Sequence, residues 1–128
     1  MAEGKPEIGT IVWCDLTVAN AEAVREFYAA VVGWKAQTVD MGGYADFNML
    51  SPASEEAEVG ICHARGTNEG IPSQWLLYVV VADLEASMAR CRELGGRIVR
   101  EARPLGKGRF CILQDPAGAV CALYEAPK

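Results

Sequence analysis

The chain has 128 residues, 51% of them apolar and 23% charged, a length that fits one compact domain and excludes a catalytic domain joined to a regulatory one. A net charge of −5 argues against a nucleic-acid binder, whose affinity comes largely from Lys and Arg neutralising phosphates. The longest apolar run, Trp75 to Ala82, is far shorter than the ~20 residues of a membrane span, and Met1–Thr10 lacks the pattern of a secretory signal.

The charge is uneven. Residues 1–64 carry 3 basic and 10 acidic side chains, whereas residues 65–128 carry 9 and 7. Arg90, Arg92, Arg97, Arg100, Arg103, Lys107 and Arg109 are bunched together, as expected for a solvated helix end followed by an edge strand protected from pairing. The five cysteines, Cys14, Cys62, Cys91, Cys111 and Cys121, include no CxxC pair and read as small buried hydrophobes in a reducing cytoplasm.

In chain order, Ile8–Val18 reads as a strand in which Val12, Cys14, Leu16 and Val18 alternate with Trp13, Asp15 and Thr17. Asn20 caps a helix whose apolar stripe is Val24, Phe27, Tyr28, Val31 and Val32, and Gly33 ends it. Strands are expected at Lys35–Val39, Tyr44–Leu50 and Glu58–Ala64. The order then repeats about 63 residues on: a strand at Leu76–Val81, Asp83 as cap, a helix with Leu84, Met88, Cys91 and Leu94 inward, a stop at Gly95-Gly96, and strands at Arg97–Arg103, Arg109–Gln114 and Ala119–Tyr124. The expected fold is therefore α+β, one domain of two βαβββ modules at residues 8–65 and 74–126 with a linker at 66–73. Each module is too small to bury both faces of its sheet. The uncovered faces are expected to enclose a cleft suited to a small molecule.

At this point the chain resembles the vicinal oxygen chelate superfamily of glyoxalase I, bleomycin resistance proteins and extradiol dioxygenases. The resemblance rests on Phe27-Tyr28 with Gly33-Trp34, Val81-Ala82-Asp83-Leu84, Leu94-Gly95-Gly96, Gly108-Arg109-Phe110 and Asp115-Pro116-Ala117-Gly118-Ala119. It implies a divalent metal held by His, Gln or Glu on the first and last strands of the modules. Carried over, those places fall at Trp13, Leu76, Ala122 and Val59 or Gly60, none of which offers an imidazole, carboxylate or amide oxygen. The expectation is that no metal and no other cofactor is used. His63, the single histidine, stands without companions and reads as structural. Glu125 has the opposite strand parity to Ala122, and Glu58 reaches the cleft only after a register slip.

The same parity argument lines the cleft with Trp13, Asp15, Thr17, Leu76, Tyr78, Val120, Ala122 and Tyr124, joined by Tyr44, Asp46 and Asn48. This composition suits a small organic ligand, although the same aromatics equally serve to fill the space between modules. Two functions stay open: a metal-independent small-molecule binding protein, or an enzyme of the superfamily (lyase, isomerase or dioxygenase) in which Asp15 is the proton-transfer base. The resemblance also implies a homodimer, with modules exchanged between chains in some relatives. No nucleic acid or membrane is expected as a partner.

Overall fold

The structure, a computed structural model, describes residues 6–128. Its elements follow the repeat: β1 (Ile11–Val18), α1 (Ala21–Val32), β2 (Lys35–Asp40), β3 (Ala45–Leu50) and β4 (Ala57–His63), then β5 (Trp75–Val80), α2 (Leu84–Glu93), β6 (Arg97–Leu105), β7 (Gly108–Gln114) and β8 (Val120–Glu125). The fold is α+β with two βαβββ modules. The expected linker holds a single 3-10 turn at Gly66–Asn68. The chain divides into two compact units, Cys14–Trp75 and residues 6–13 with Leu76–Lys128.

In the first unit the strands run β2-β3-β4-β1, with β1 parallel to β4 and the other pairs antiparallel. The core forms where α1 lies on one face of this sheet. Period-two alternation sends Ala45, Phe47 and Met49 of β3, Val59 and Ile61 of β4 and Val18 of β1 toward Ala21, Val24 and Tyr28. Met49 and Ile61 have no solvent exposure, and burial of each such side chain contributes about 1.5–3 kcal/mol. Tyr28, Trp34 and Trp75 close one end, with Trp75 Nε1 donating to Tyr28 Oη at 3.3 Å. The expected stripe on α1 is only partly inward. Val24 and Tyr28 meet the sheet, while Phe27, Val31 and Val32 are more than half exposed; five apolar positions span a wider arc than one sheet face covers.

In the second unit the order is β5-β8-β7-β6, and α2 places Leu84 and Met88 on Cys111 and Leu123, with Val79, Val81, Ile98, Ala102 and Leu113 around them. Leu94, expected inward, is exposed, because it is the residue that ends the helix.

The two helices start alike. Asn20 accepts from the Ala23 backbone N–H and Asp83 from that of Ala86, each at 3.1 Å, satisfying a donor the first helical turn leaves open. The first strand begins at Ile11 and not Ile8, because Gly9 takes a left-handed conformation, φ 89°, and turns the chain. Its neighbours still pair: Gly9 N–H donates to Val80 O and Val80 N–H to Thr10 O. Among the described residues no helix is long and apolar enough to cross a membrane.

Candidate functional site

Each sheet has a face turned away from its helix, and register decides who stands on it. In the first unit Asp15 pairs with Gly60, Gly60 with Asn48 and Asn48 with Gln37, so these four form one row across the open face. Asn48 Nδ2 donates to Gln37 Oε1 at 3.3 Å. Thr17 pairs with Cys62 in the next open-face row. Thr17 is buried and Asp15, Asn48 and Trp13 are half-buried. The Cys62 thiol is pushed far up, first by burial and then by the charges of Asp15 and Asp46. It stays protonated and supplies no nucleophile.

Asp46 and Tyr44, expected on this face, are drawn into a clamp at the end of the strands. Asp46 Oδ1 accepts from the His63 backbone N–H at 2.8 Å and lies 3.2 Å from His63 Nδ1, while His63 Nε2 lies 3.0 Å from Glu22 Oε1 on α1. Tyr44 meets the imidazole edge-on, 5.5 Å between ring centres, and carries the Arg65 guanidinium on its face at 4.1 Å. Burial alone lowers the His63 pKa, but its hydrogen bonds to Glu22 and Asp46 outweigh that and the net shift is upward. The clamp joins β3, β4 and α1, which is a structural task.

In the second unit Tyr78 pairs with Ala122 and Ala122 with Ile112, giving a row that matches Asp15 and Gly60 at the repeat spacing. Phe110 pairs with Tyr124 and lies 5.8 Å from Tyr78, centre to centre. Leu76, Tyr78 and Ala122 are buried and Tyr124 is half-buried. A side chain at Gly108 is sterically excluded: a Cβ there would sit 2.5 Å from Tyr124 Oη and 2.6 Å from Glu125 O. The glycine therefore makes room for the tyrosine to lie across the open face.

Three arginines join this face that parity alone would not put together. Arg97 pairs with Gln114, Arg100 with Ile112 and Arg103 with Phe110, and the register shifts once between Ile98 and Arg100 and again between Arg100 and Arg103. The Arg103 guanidinium lies over the Phe110 ring at 5.0 Å, Arg100 Nη1 donates to Val99 O at 3.1 Å, and Arg97 Nε donates to Gln114 Oε1 at 2.8 Å. The remaining clustered arginines are on the helix side or outer rim: Arg90 pairs with Glu93, Arg92 with Glu101, and Arg109 with Glu85 and Glu125.

The residues at the superfamily's metal places do not fit a divalent cation. Val59 packs in the core under α1, so the open-face place on β4 is Gly60, which has no side chain. Leu76 and Ala122 are apolar and buried, and Trp13 offers only an N–H donor. Glu125 is turned to the helix side and held by Arg109. Glu58 is exposed, beside the register shift that pairs Met49 with Val59 but Leu50 with Ala57. Among the described residues no group of three or more His, Cys, Asp or Glu side chains is arranged to hold a metal. A cavity of about 390 Å³ opens near the ends of β5 and β8, lined by Pro6, Ile8, Val80, Ala82 and Glu125 among others; apart from Glu125, it involves none of these site candidates.

Comparison with known proteins agrees with this architecture. Residues 10–123 match the model of the Glyoxalase/Bleomycin resistance protein/Dioxygenase superfamily. The putative glyoxylase CFP32 of Mycobacterium tuberculosis is 31% identical over 124 residues, 95% of this chain and 46% of that protein. The anthracycline biosynthesis protein DauV of a Streptomyces species is 28% identical, over 91% of this chain and 47% of that protein. The chain thus spans about half the length of the curated relatives it matches. Among solved structures, a methylmalonyl-CoA epimerase of Streptomyces coelicolor in complex with 2-nitronate-propionyl-CoA superposes with a TM-score of 0.58 at 17% identity, covering 95% of this chain and all of that one. BH1468 of Bacillus halodurans gives 0.63 at 12% identity, over 95% and 97%, which is a likeness of fold. With the repeat, the register and the family match in agreement, the chain belongs to the glyoxalase/bleomycin resistance protein/dioxygenase superfamily.

Proposed function

We propose that this chain is a small-molecule binding protein of the glyoxalase/bleomycin-resistance type that acts without a metal ion, its organic ligand held against the helix-free face of a sheet. The observation that carries the reading is the composition of the helix-free faces. The helix-free face of the second unit carries Tyr78, Phe110, Ile112 and Ala122, each at most 7% exposed, with half-buried Tyr124 beside them; that of the first unit carries, by itself, half-buried Asp15 and Asn48, buried Thr17 and exposed Gln37. Apolar surface with few, fixed polar groups is the usual make-up of a small-molecule site. The absence of oxygen or nitrogen donors at Leu76, Gly60 and Ala122 supports metal independence.

Titration of ¹⁵N-labelled protein in EDTA with a set of aromatic and aliphatic fragments tests this. Binders are expected to shift backbone amides of β1, β5 and β8, with the same affinity when EDTA is omitted. Shifts confined to residues outside the open faces, or binding that appears only on adding a divalent cation, would contradict it.

A second reading, an enzyme of the superfamily with Asp15 as base, draws support from the half-buried position of Asp15 on the helix-free face of its sheet. A carboxylate so placed is a suitable general base. In that case Asp15→Asn abolishes turnover while leaving fragment binding in place.

A further inference from the structure

We infer that strand β2 is a self-pairing edge: two copies of the chain join antiparallel along it, with Thr38 on the two-fold axis, and so extend the sheet of the first unit from one copy into the next. The inference goes beyond the ligand-binding reading and does not depend on it.

Strand β2 ends the order β2-β3-β4-β1, so one of its sides has no strand beside it. The β2–β3 hairpin fixes which backbone groups stand on that side. Gly42 and Gly43 form its two-residue loop, both with positive φ, 79° and 105°, and Met41 N–H donates to Tyr44 O at 2.9 Å. Along an antiparallel ladder, pairs that exchange hydrogen bonds alternate with pairs that do not. Counting back from Met41 through the unbroken register Asp40↔Ala45 to Lys35↔Leu50, Val39, Gln37 and Lys35 bond to β3, and Ala36, Thr38 and Asp40 turn N–H and C=O outward. Among the described residues none of these outward groups has a hydrogen-bond partner. Ala36, Thr38 and Asp40 are all exposed.

The edge of the second unit, β6, is closed to such pairing. Two register shifts against β7 disrupt its ladder, Pro104 lacks a donor, and Arg97, Arg100, Glu101 and Arg103 spread charge along it. Strand β2 has none of these guards. Its residues Lys35–Asp40 include no proline, no glycine and no bulge against β3, and its two charges stand at its ends.

Its own copy fits this edge. A two-fold pair uses the same patch on both chains, and with Thr38 opposite Thr38 it sets Ala36 opposite Asp40 and Gln37 opposite Val39. The outward N–H and C=O groups then meet in register, since Ala36, Thr38 and Asp40 all fall at positions that exchange both hydrogen bonds. Threonine opposite threonine is a favourable cross-strand pair, and no like charges are opposed. The antiparallel sense brings the Lys35 end of one copy to the Asp40 end of the other, whereas an in-register parallel pair stacks like charge on like. Lys35 keeps its exposed ion pair with Glu55 and Asp40 its hydrogen bond from Gly42 N–H, so the ends add attraction without a fixed contact. On the helix-free face, Gln37, last in the row with Asp15, Gly60 and Asn48, comes to lie beside Val39 of the second copy. A single short edge lies at the low end of interface areas. The dimer is therefore weak and concentration-dependent.

The test is sedimentation velocity and ¹⁵N NMR of the full chain from about 10 μM to about 1 mM, the range in which a weak complex forms. A monomer–dimer equilibrium is expected, with a parity signature in amide exchange. Ala36, Thr38 and Asp40 become protected as concentration rises, while Gln37 and Val39, already bonded to β3, are protected throughout. Thr38→Pro removes one outward donor without touching the β3 ladder, and Thr38→Lys adds the kind of charge that guards other edges. Each is expected to weaken dimerisation at least roughly tenfold. Arg97→Gln, on the opposite edge, leaves it unchanged. Circular dichroism confirms that each variant is folded; should Thr38→Pro unfold, Thr38→Lys carries the comparison. A monomer at every concentration overturns the inference and leaves the edge to a partner of different sequence. A dimer that survives the folded Thr38 variants, or one whose newly protected amides lie on any other strand, overturns it as well.

Discussion

Truncating Met49 or Leu84 to alanine is expected to lower stability by about 2–5 kcal/mol, the range for large-to-small changes at closed core sites. Both side chains have zero exposure, and each stands at the centre of its own core: Met49 with Phe47, Ile61 and Ala21, Leu84 with Met88, Cys111 and Leu123. Neither has solvent behind it to fill the space, and the sheet backbone resists collapse on one side of each. The loss therefore includes contacts as well as transfer free energy. Urea unfolding measures it as a shift of midpoint at unchanged slope. A control at Val31, which is 65% exposed, is expected to move the midpoint by only a few tenths of a kcal/mol. A small effect at Met49 or Leu84 would show that these cores are not closed.

The second large effect concerns the His63 clamp and depends on pH. Because the folded-state pKa of His63 is raised, the folded chain holds a proton that the unfolded chain releases near the ordinary histidine value of 6.5. Its stabilisation is complete below that value and is lost as pH rises through the folded-state pKa. Glu22 runs the other way. Its pKa is lowered, chiefly by the hydrogen bond to His63, so its share is present above 4.5 and lost as pH falls through the depressed value. The clamp is therefore strongest between those two limits. His63→Gln is expected to cost about 1.5–3 kcal/mol near pH 6, the scale of hydrogen bonds to charged groups, and progressively less as pH rises through the folded-state pKa. Urea midpoints of both proteins across pH measure this. Since His63 is the single histidine, its ring protons also report the titration without ambiguity, and a midpoint at or below 6.5 would contradict the clamp.

Legibility in the sequence followed the range of the interaction. Caps and strand alternation are local, so Asn20 and Asp83 start their helices as their residue types require and Leu16 and Thr17 fall on opposite faces. The parity of Glu125 relative to Ala122 was readable for the same reason, and Arg109 holds the glutamate on the helix side. Interactions between distant segments were not readable. His63 meets partners 17 and 41 residues away, and no periodicity signals that Asp46 and Glu22 converge on one ring, so His63 reads as solitary and Tyr44 and Asp46 read as members of the open face. The arginines are the opposite case. Their spacing is plain in the sequence, but strand parity assigns Arg100 to the wrong face, and only the two register shifts against β7 bring it beside Arg103. A residue inserted into a ladder leaves no mark in composition.

The claim on which the rest depends is that the open faces serve a ligand without a metal. Elemental analysis of the purified protein for zinc, nickel, manganese and iron tests it most directly. The account predicts far less than one equivalent of any of them per chain, and no rise after incubation with the ion and desalting. One tightly held equivalent per chain, lost on Asp15→Asn or His63→Gln, would contradict it.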